Sequence, residues 1–495
     1  MGGERSLFQH YYIMTIFRFC KIISTIIFFN SLFPFCLPVR AQYLPEIQLE
    51  VTGHTGSGGQ MPFWMVSNQH GKYSLDGTGA MAGLRFISQG DTTREWNFAY
   101  GLEALSRLDN SSKLWIQQGW AELNYRQLIR LRAGIQEETF GNEYSPLSTG
   151  SVIWSGNARP LPKLEMGTAG FVNVPFTDGL FQIKGSLAHG WFEKDRYVEN
   201  VWLHQKYAAA RTRLDFPLNF YFAYHHFAHW GGDHPVHGKL PTDLNSYLKV
   251  FFIRKGDEDS PHSWQLNRFG NHIGSRHYGI DWEREQYEIN FYFQDVYEDG
   301  SGGRMKNYPD GLWGMVWKNK KNDAPLLAVL YEYLQTTDQS GPMHDRELSL
   351  GGDDNYFNHG IYHSGWTHYR MTIGTPFITS PLFNQDIDHP SNIRIWNNRV
   401  RAHHFGVEGF LFKDLSYRMR MSYSKNEGIY ASNITVPEVF SFDGPRYQWS
   451  WRTDWSYRFE RQNITATLSV AGDKGSMYGD NLGVMLGMRY RISDY

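Results

Sequence analysis

The chain has 495 residues, 41% of them hydrophobic and 16% aromatic, with a mean hydropathy of −0.50 and a formal charge of −2. That hydropathy leaves no surplus of apolar residues for transmembrane helices, and the near-neutral charge excludes a nucleic-acid binder built on a basic surface. Both cysteines, Cys20 and Cys36, precede residue 42, so the rest of the chain offers no disulfide, thiolate ligand or thiol nucleophile.

Residues 1–41 read as a secretion signal. Arg18 and Lys21 precede an apolar run from Ile22 to Leu37, and Val39-Arg40-Ala41 fits a small-x-small cleavage site that leaves Gln42 first. The start is Met1 or Met14, because Met1 to Tyr12 is polar for a signal. A membrane anchor is the competing reading, against which Asn30, Pro34 and Pro38 interrupt the run. Cys36 lacks a leucine three residues before it, which argues against a lipoprotein. Without this segment's four basic residues and one acidic residue, the mature chain has 44 basic and 49 acidic groups, net −5.

From Gln42 the pattern alternates. Ile47, Leu49 and Val51 interleave with Gln48, Glu50 and Thr52, a period of two that separates them onto opposite faces of a strand. Ala80 to Ser88, Glu95 to Leu105, Leu114 to Tyr125 and Ile129 to Gln136 continue as strands joined by short turns, an up-and-down meander. Residues 144–170 break the rhythm and read as a structured loop. Strands resume at Leu180 to Phe192, Val201 to Leu214 and Leu218 to Trp230. A loop at 231–245 follows, where Thr242-Asp243-Leu244 could cap a helix running to Phe252, although Tyr247, Val250, Phe251 and Phe252 equally suit a strand. Tyr278 to Glu285, Tyr287 to Val296, Leu312 to Trp317 and Leu326 to Gln335 resume the meander. The longest interruption, 336–398, is rich in Tyr, His and Trp, which argues for a functional loop and against disorder.

Five strands close the chain from Arg401. In one of them Trp449, Trp451, Trp455, Tyr457 and Phe459 share a face, and Gln448, Ser450, Arg452, Asp454 and Ser456 share the other. An apolar face made of Trp, Tyr and Phe suits a membrane–water interface. The whole predicts an all-β fold for residues 42–495: a transmembrane antiparallel up-and-down β-barrel of about eighteen strands, with short helical or loop elements occluding the lumen. One feature of the C-terminus is out of step, since Tyr495 falls out of phase with Ile492.

The string Trp154-Ser155-Gly156-Asn157-Ala158-Arg159-Pro160, the loop from Asp353 to Trp366, and Tyr369-Arg370 with Gly374-Thr375-Pro376 after it resemble the capsule assembly protein Wzi family, the versions in Bacteroidota above all. The likeness covers essentially the whole mature chain. It implies an outer-membrane barrel with an occluded lumen and a lectin-like role, holding exported capsular or other surface polysaccharide at the cell. Its implied surroundings are outer-membrane lipid and the capsule export machinery, with no nucleic acid and no cofactor. The resemblance carries no residue-level binding motif, so a site is argued from the residues themselves.

Sugars are held by aromatic faces stacked on their C–H surfaces and by planar groups that direct hydrogen bonds to hydroxyls. Asp353, Asp354, Asn355, His359 and Trp366 supply that mixture in one loop, with Tyr356, Tyr362 and His363 among them; Trp154, Asn157 and Arg159 supply a smaller version. The competing reading is that these loops plug the barrel and their polar groups satisfy one another. His359 and His363 are four apart, but no helical period surrounds them and the glutamate of a zinc-protease helix is missing. Asp353 and Asp354 lack the spacing of a calcium loop. Two further classes stand as alternatives. One is a phospholipase-like barrel using Ser364 with His368, without the glycines of a nucleophile elbow; the other is a diffusion porin, whose lumen the long aromatic loop would obstruct.

Overall fold

Strict alternation becomes a closed sheet. The computed structural model describes residues 45–492 apart from 127, 142, 145, 259, 262–263, 265–267, 343–353, 385–394, 431–441 and 443. The secretion signal and Tyr495 therefore lie outside the described residues. Eighteen strands make the barrel. The first nine are β1 (Glu46–Gln60), β2 (Asp76–Ser88), β3 (Trp96–Leu108), β4 (Ser112–Tyr125), β5 (Ile129–Ile135), β6 (Pro162–Gly167), β7 (Phe181–Trp191), β8 (Trp202–Thr212) and β9 (Leu218–Trp230). The others are β10 (Asn271–Glu283), β11 (Tyr287–Gln294), β12 (Gly311–Asn319), β13 (Ala328–Gln335), β14 (Val400–Phe412), β15 (Leu415–Asn426), β16 (Arg446–Phe459), β17 (Ile464–Gly475) and β18 (Asn481–Arg491). Each pairs antiparallel with its sequence neighbours, and β18 returns to β1 from Gln48↔Arg491 to Gly56↔Gly483, which leaves no open edge. A two-residue strand, Val172–Asn173, pairs with β7 beside β6.

The two faces of the wall differ as the alternation requires. On β16, Trp449, Tyr457 and Phe459 keep 47%, 42% and 44% of their surface, whereas Gln448, Ser450 and Arg452 keep 2%, 3% and 8%. The aromatic side faces lipid and the polar side faces the lumen. Outward aromatics gather near both rims: Trp96 against Tyr125 at one, Tyr423 against Tyr447 and Trp449 at the other. Connections at the first rim are mostly short. Those at the second include the long ones, β5 to β6, β9 to β10 and β13 to β14. Short periplasmic turns, long outer loops and two aromatic girdles are the layout of an outer-membrane barrel, with the long connections outside. The protein is an outer-membrane β-barrel.

Three expectations need correction. Residues 144–170 are not all loop, because Pro162–Gly167 is β6; with six residues and a leading proline it carries too little alternation to stand out. β10 starts at Asn271, seven residues before the predicted start, since its first half is polar and histidine-rich. The connection after β9 runs past 245 and contains helix α2 (Leu244–Phe251), α1 being the turn Phe63–Val66. The capped-helix alternative wins there: Asp243 accepts from the Ser246 N–H at 3.1 Å and the Ser246 hydroxyl at 2.7 Å.

Candidate functional site

The outer part of the lumen is packed. Long connections from the outer rim turn inward and pack on one another: Phe63, Trp64 and Met65 of α1, Val152, Ile153 and Trp154 before β6, and Tyr356, Phe357, Tyr362, Trp366 and Phe377 before β14 are all buried in one core. The inward polar residues of the wall hold this plug by its backbone. Asp473 accepts from the Phe63 N–H at 2.8 Å, and Arg452 donates to the Trp64 carbonyl at 3.1 Å. Glu332 accepts from the Thr149 N–H at 2.8 Å and the Ser148 hydroxyl at 2.5 Å. His404 bridges the Leu147 carbonyl and the Ser422 hydroxyl, both at 2.7 Å. The polar stripe of each strand thus answers the backbone groups of loops brought out of water.

Most of the residues singled out for sugar contact belong to this plug. Trp154 is 3% exposed, with one face stacked on Phe227 at 4.9 Å and Lys163 at 4.9 Å from its ring. Trp366 is fully buried, and its indole N–H donates to the Ile153 carbonyl at 2.7 Å. Asn157 is buried as well. It accepts from the Asn68 N–H and donates to the Thr372 carbonyl and hydroxyl. Asp354 accepts from Ser340, and Asn355 accepts from Asn358 and Asn398. His359 accepts from the N–H groups of Ile361 and Tyr362, and burial pulls its imidazole down to about 3, so it stays neutral. Asp353 lies outside the described residues. In this conformation the plug residues satisfy one another, and neither tryptophan has a free face.

Arg159 is different. Its guanidinium lies over the half-exposed Tyr369 ring at 4.4 Å and over Trp115 at 5.4 Å, at the outer mouth of the barrel. Gly71 lets it in: at φ +64°, a Cβ there would stand 2.6 Å from Arg159 Cγ. Tyr369 and the exposed Arg370 form the tip of a two-residue hairpin, Thr367–His368 against Met371–Thr372, with φ of +48° and +65°. Such a tip normally takes Asn-Gly. Two large side chains held in the left-handed region are a local strain of the kind found at functional sites.

A charged cluster pins that hairpin. Glu193 accepts from His368 Nδ1 in a close contact and from Arg196 at 3.0 Å, while Arg196 also donates to the carbonyls of Gly365 and Thr367. Burial raises the Glu193 carboxyl, but the His368 bond and the Arg196 charge outweigh it and hold it down at about 2. From sequence, Tyr369 enters only through the family resemblance and has no contact role, because a hairpin tip without Asn or Gly leaves no turn signature; Trp115 reads as one aromatic of an alternating strand.

The pair weighed for catalysis, Ser364 and His368, is engaged elsewhere. Ser364 Oγ accepts from the Tyr197 N–H at 2.9 Å, and among the described residues no hydrogen bond joins it to His368. His363 engages the Gly360 carbonyl at 2.8 Å and stacks on Tyr197. Among the described residues no group of three or more His, Asp or Glu is placed to hold a metal ion.

The family model described as capsule assembly protein Wzi matches residues 68–378, more than half of the chain. The chain belongs to this family. No curated protein sequence matches it. Among solved structures it is similar to Escherichia coli Wzi, with 14% identity and a TM-score of 0.56 over 90% of this chain and 85% of that one. That protein is described as an outer-membrane, carbohydrate-binding β-barrel involved in group 1 capsule assembly. The Pseudomonas aeruginosa barrel OccK5 (OpdH) matches at 11% identity and a TM-score of 0.46, covering 92% of this chain and 98% of that one. The Wzi likeness supports the fold: an outer-membrane barrel.

Proposed function

We propose that this Wzi-family protein is a surface lectin, which binds exported capsular or other surface polysaccharide and helps assemble or anchor the capsule at the outer membrane. The observation that carries the reading is a cationic, aromatic mouth above a packed plug: Trp115, Arg159, Tyr369 and Arg370 stand at the outer rim, over connections that turn inward into the barrel. The likeness to a carbohydrate-binding Wzi barrel supports the same class of ligand. A guanidinium beside aromatic faces can donate to hydroxyls or carboxylates while a ring stacks on the sugar's apolar side. Of the residues chosen from sequence, Arg159 makes the direct contact. Trp154, Asn157, Asp354, Asn355, His359 and Trp366 shape the plug beneath it. The protein acts by binding, not by turnover, and takes its polymer from the export machinery. Single sugar contacts are weak, but a polymer meets many copies at once, and avidity multiplies them.

The test compares cell-bound with released polymer. A deletion strain should make capsule and shed it, wild-type protein should restore retention, and Arg159→Ala or Tyr369→Ala should restore little although the barrel keeps its heat-modifiable gel mobility. Equal retention in deletion and wild-type strains removes the reading. Full retention by both variants moves the binding surface away from this mouth.

A further inference from the structure

Helix α2 lies against the outside of the barrel, not in its lumen. The strands it covers alternate strictly. On β9, Phe220 and Phe222 face outward, so Tyr224, His226, Ala228 and Trp230 share that side; cross-strand pairing places His204 of β8 opposite Ala228 and His272 of β10 opposite the same residue. Three imidazoles therefore point toward the bilayer, yet each is buried. The cover is the connection between β9 and β10. Tyr247 of α2 meets Trp230 at 5.5 Å and His204 at 5.6 Å, and Phe251 meets His204 at 5.6 Å. Outward Lys206 donates to the Phe251 carbonyl. His226 and His272 share a 2.9 Å hydrogen bond, and His272 reaches the Phe269 carbonyl of the same connection.

The far side of α2 is apolar. Leu244, Leu248 and Phe252, four residues apart on one helical stripe, are 73%, 42% and 56% exposed. This stripe continues the lipid-facing wall. Tyr247 borders an outer groove of about 450 Å³ lined by Phe98, Leu123, Leu131, Leu164 and Met166. At the helix end, Arg254 and Lys255 are exposed, and Arg254 lies over the Phe252 ring at 5.2 Å.

We propose that α2 is embedded in the outer leaflet, with Leu244, Leu248 and Phe252 among the acyl chains and Arg254 and Lys255 at the anionic head groups. Lipid is the occupant because the stripe continues the barrel's own membrane face; Arg254 and Lys255 lie at its end, with exposed Asp257 and Glu258 shortly after them. The inference does not depend on polysaccharide binding.

The mature chain has no cysteine, so single-cysteine variants report cleanly. Leu248→Cys, Leu244→Cys and, as a control in the same connection, Val236→Cys, which is 75% exposed, are labelled with an environment-sensitive fluorophore on the refolded chain of residues 42–495. They are placed in phosphatidylcholine vesicles with or without phosphatidylglycerol. The 244 and 248 labels should lose most of their emission to doxyl-labelled lipid and almost none to aqueous iodide, and the Val236 label should do the reverse. In the anionic vesicles, R254E together with K255E should reduce the doxyl quenching. Iodide quenching at 244 and 248 equal to that at 236 overturns the proposal. An unchanged doxyl profile in the charge-reversed protein overturns the head-group contact.

Discussion

Trp366→Ala separates the plug from the barrel. The indole is fully buried, its ring 4.9 Å from His229, 5.8 Å from Phe227 and 6.2 Å from both Trp154 and Phe192. Truncating a buried tryptophan costs about 3–5 kcal/mol in lost packing and cavity. The Ile153 carbonyl, left without its donor, adds roughly 1–3 kcal/mol. None of this touches the strand ladder, which closes through β1 and β18 on backbone pairing backed by the Arg489–Glu50 and Arg491–Glu46 ion pairs. Folded, heat-modifiable barrel should therefore persist. The plug should open far more often: about 4 kcal/mol is roughly a thousandfold in the opening equilibrium. Hydrogen exchange followed by mass spectrometry reads this directly, in peptides covering 147–158 and 366–379, with wall peptides from β16 and β17 as the internal reference. Trp366→Phe keeps a ring and loses the donor, so it should fall between wild type and alanine. Unchanged exchange in the two plug peptides would refute the reasoning, because the wall-to-backbone bonds from Glu332 and His404 would then suffice to hold the plug.

Wild-type protein in a planar bilayer should pass little ion current, and the Trp366→Ala protein should pass more; steady large conductance from wild type would mean that the packed connections leave a continuous pore. Asp310 gives a pH signature. Burial pushes its carboxyl up to about 6 from an ordinary 3.8, against the backbone N–H groups of Asp338 and Gln339 that favour the charged form. A raised carboxyl contributes stability that is full below pH 3.8 and is lost as pH rises through 6, by about 3 kcal/mol at 1.36 kcal/mol per unit. Protection at 337–341, relative to the intrinsic exchange rate at each pH, should fall over that window in wild type and stay flat in Asp310→Asn.

The wall was legible in the sequence because its period is fixed by geometry. Any strand with lipid on one side and a packed interior on the other must alternate, and Leu218–Trp230 starts and ends where the alternation does. Where another element interferes, the signal fails. β10 opens with Asn271 and His272, one turned to the lumen and one covered by the β9–β10 connection, so neither face looks like a membrane face. His225 and His226 show the same thing side by side, one stacked on His277 within the barrel and the other paired with His272 outside it. The candidate site was less legible for a different reason. A string such as Trp154 to Arg159 contains both a plug anchor and a rim contact, and composition cannot separate them. Asn157 is held by Thr372, more than two hundred residues away, and Arg159 by the ring of Tyr369. Only the inward fold of two distant connections decides which side chain is buried.

That inward fold also ties sealing to binding. Trp366 lies three residues before Tyr369, between the Ile153 carbonyl it caps and the hairpin tip at the surface. Arg196, locked to Glu193, donates to the carbonyls of Gly365 and Thr367 on either side of Trp366. The buried residues and the exposed ones are thus consecutive turns of one segment, and the left-handed backbone at Tyr369 and Arg370 persists because both flanks are held. A loop free enough to clear the lumen would relax that strain and lose the stack of Arg159 on Tyr369. In the proposed lectin, a rigid plug is what keeps the mouth preorganised, and a preorganised surface loses less entropy at each of the many weak contacts a polymer makes.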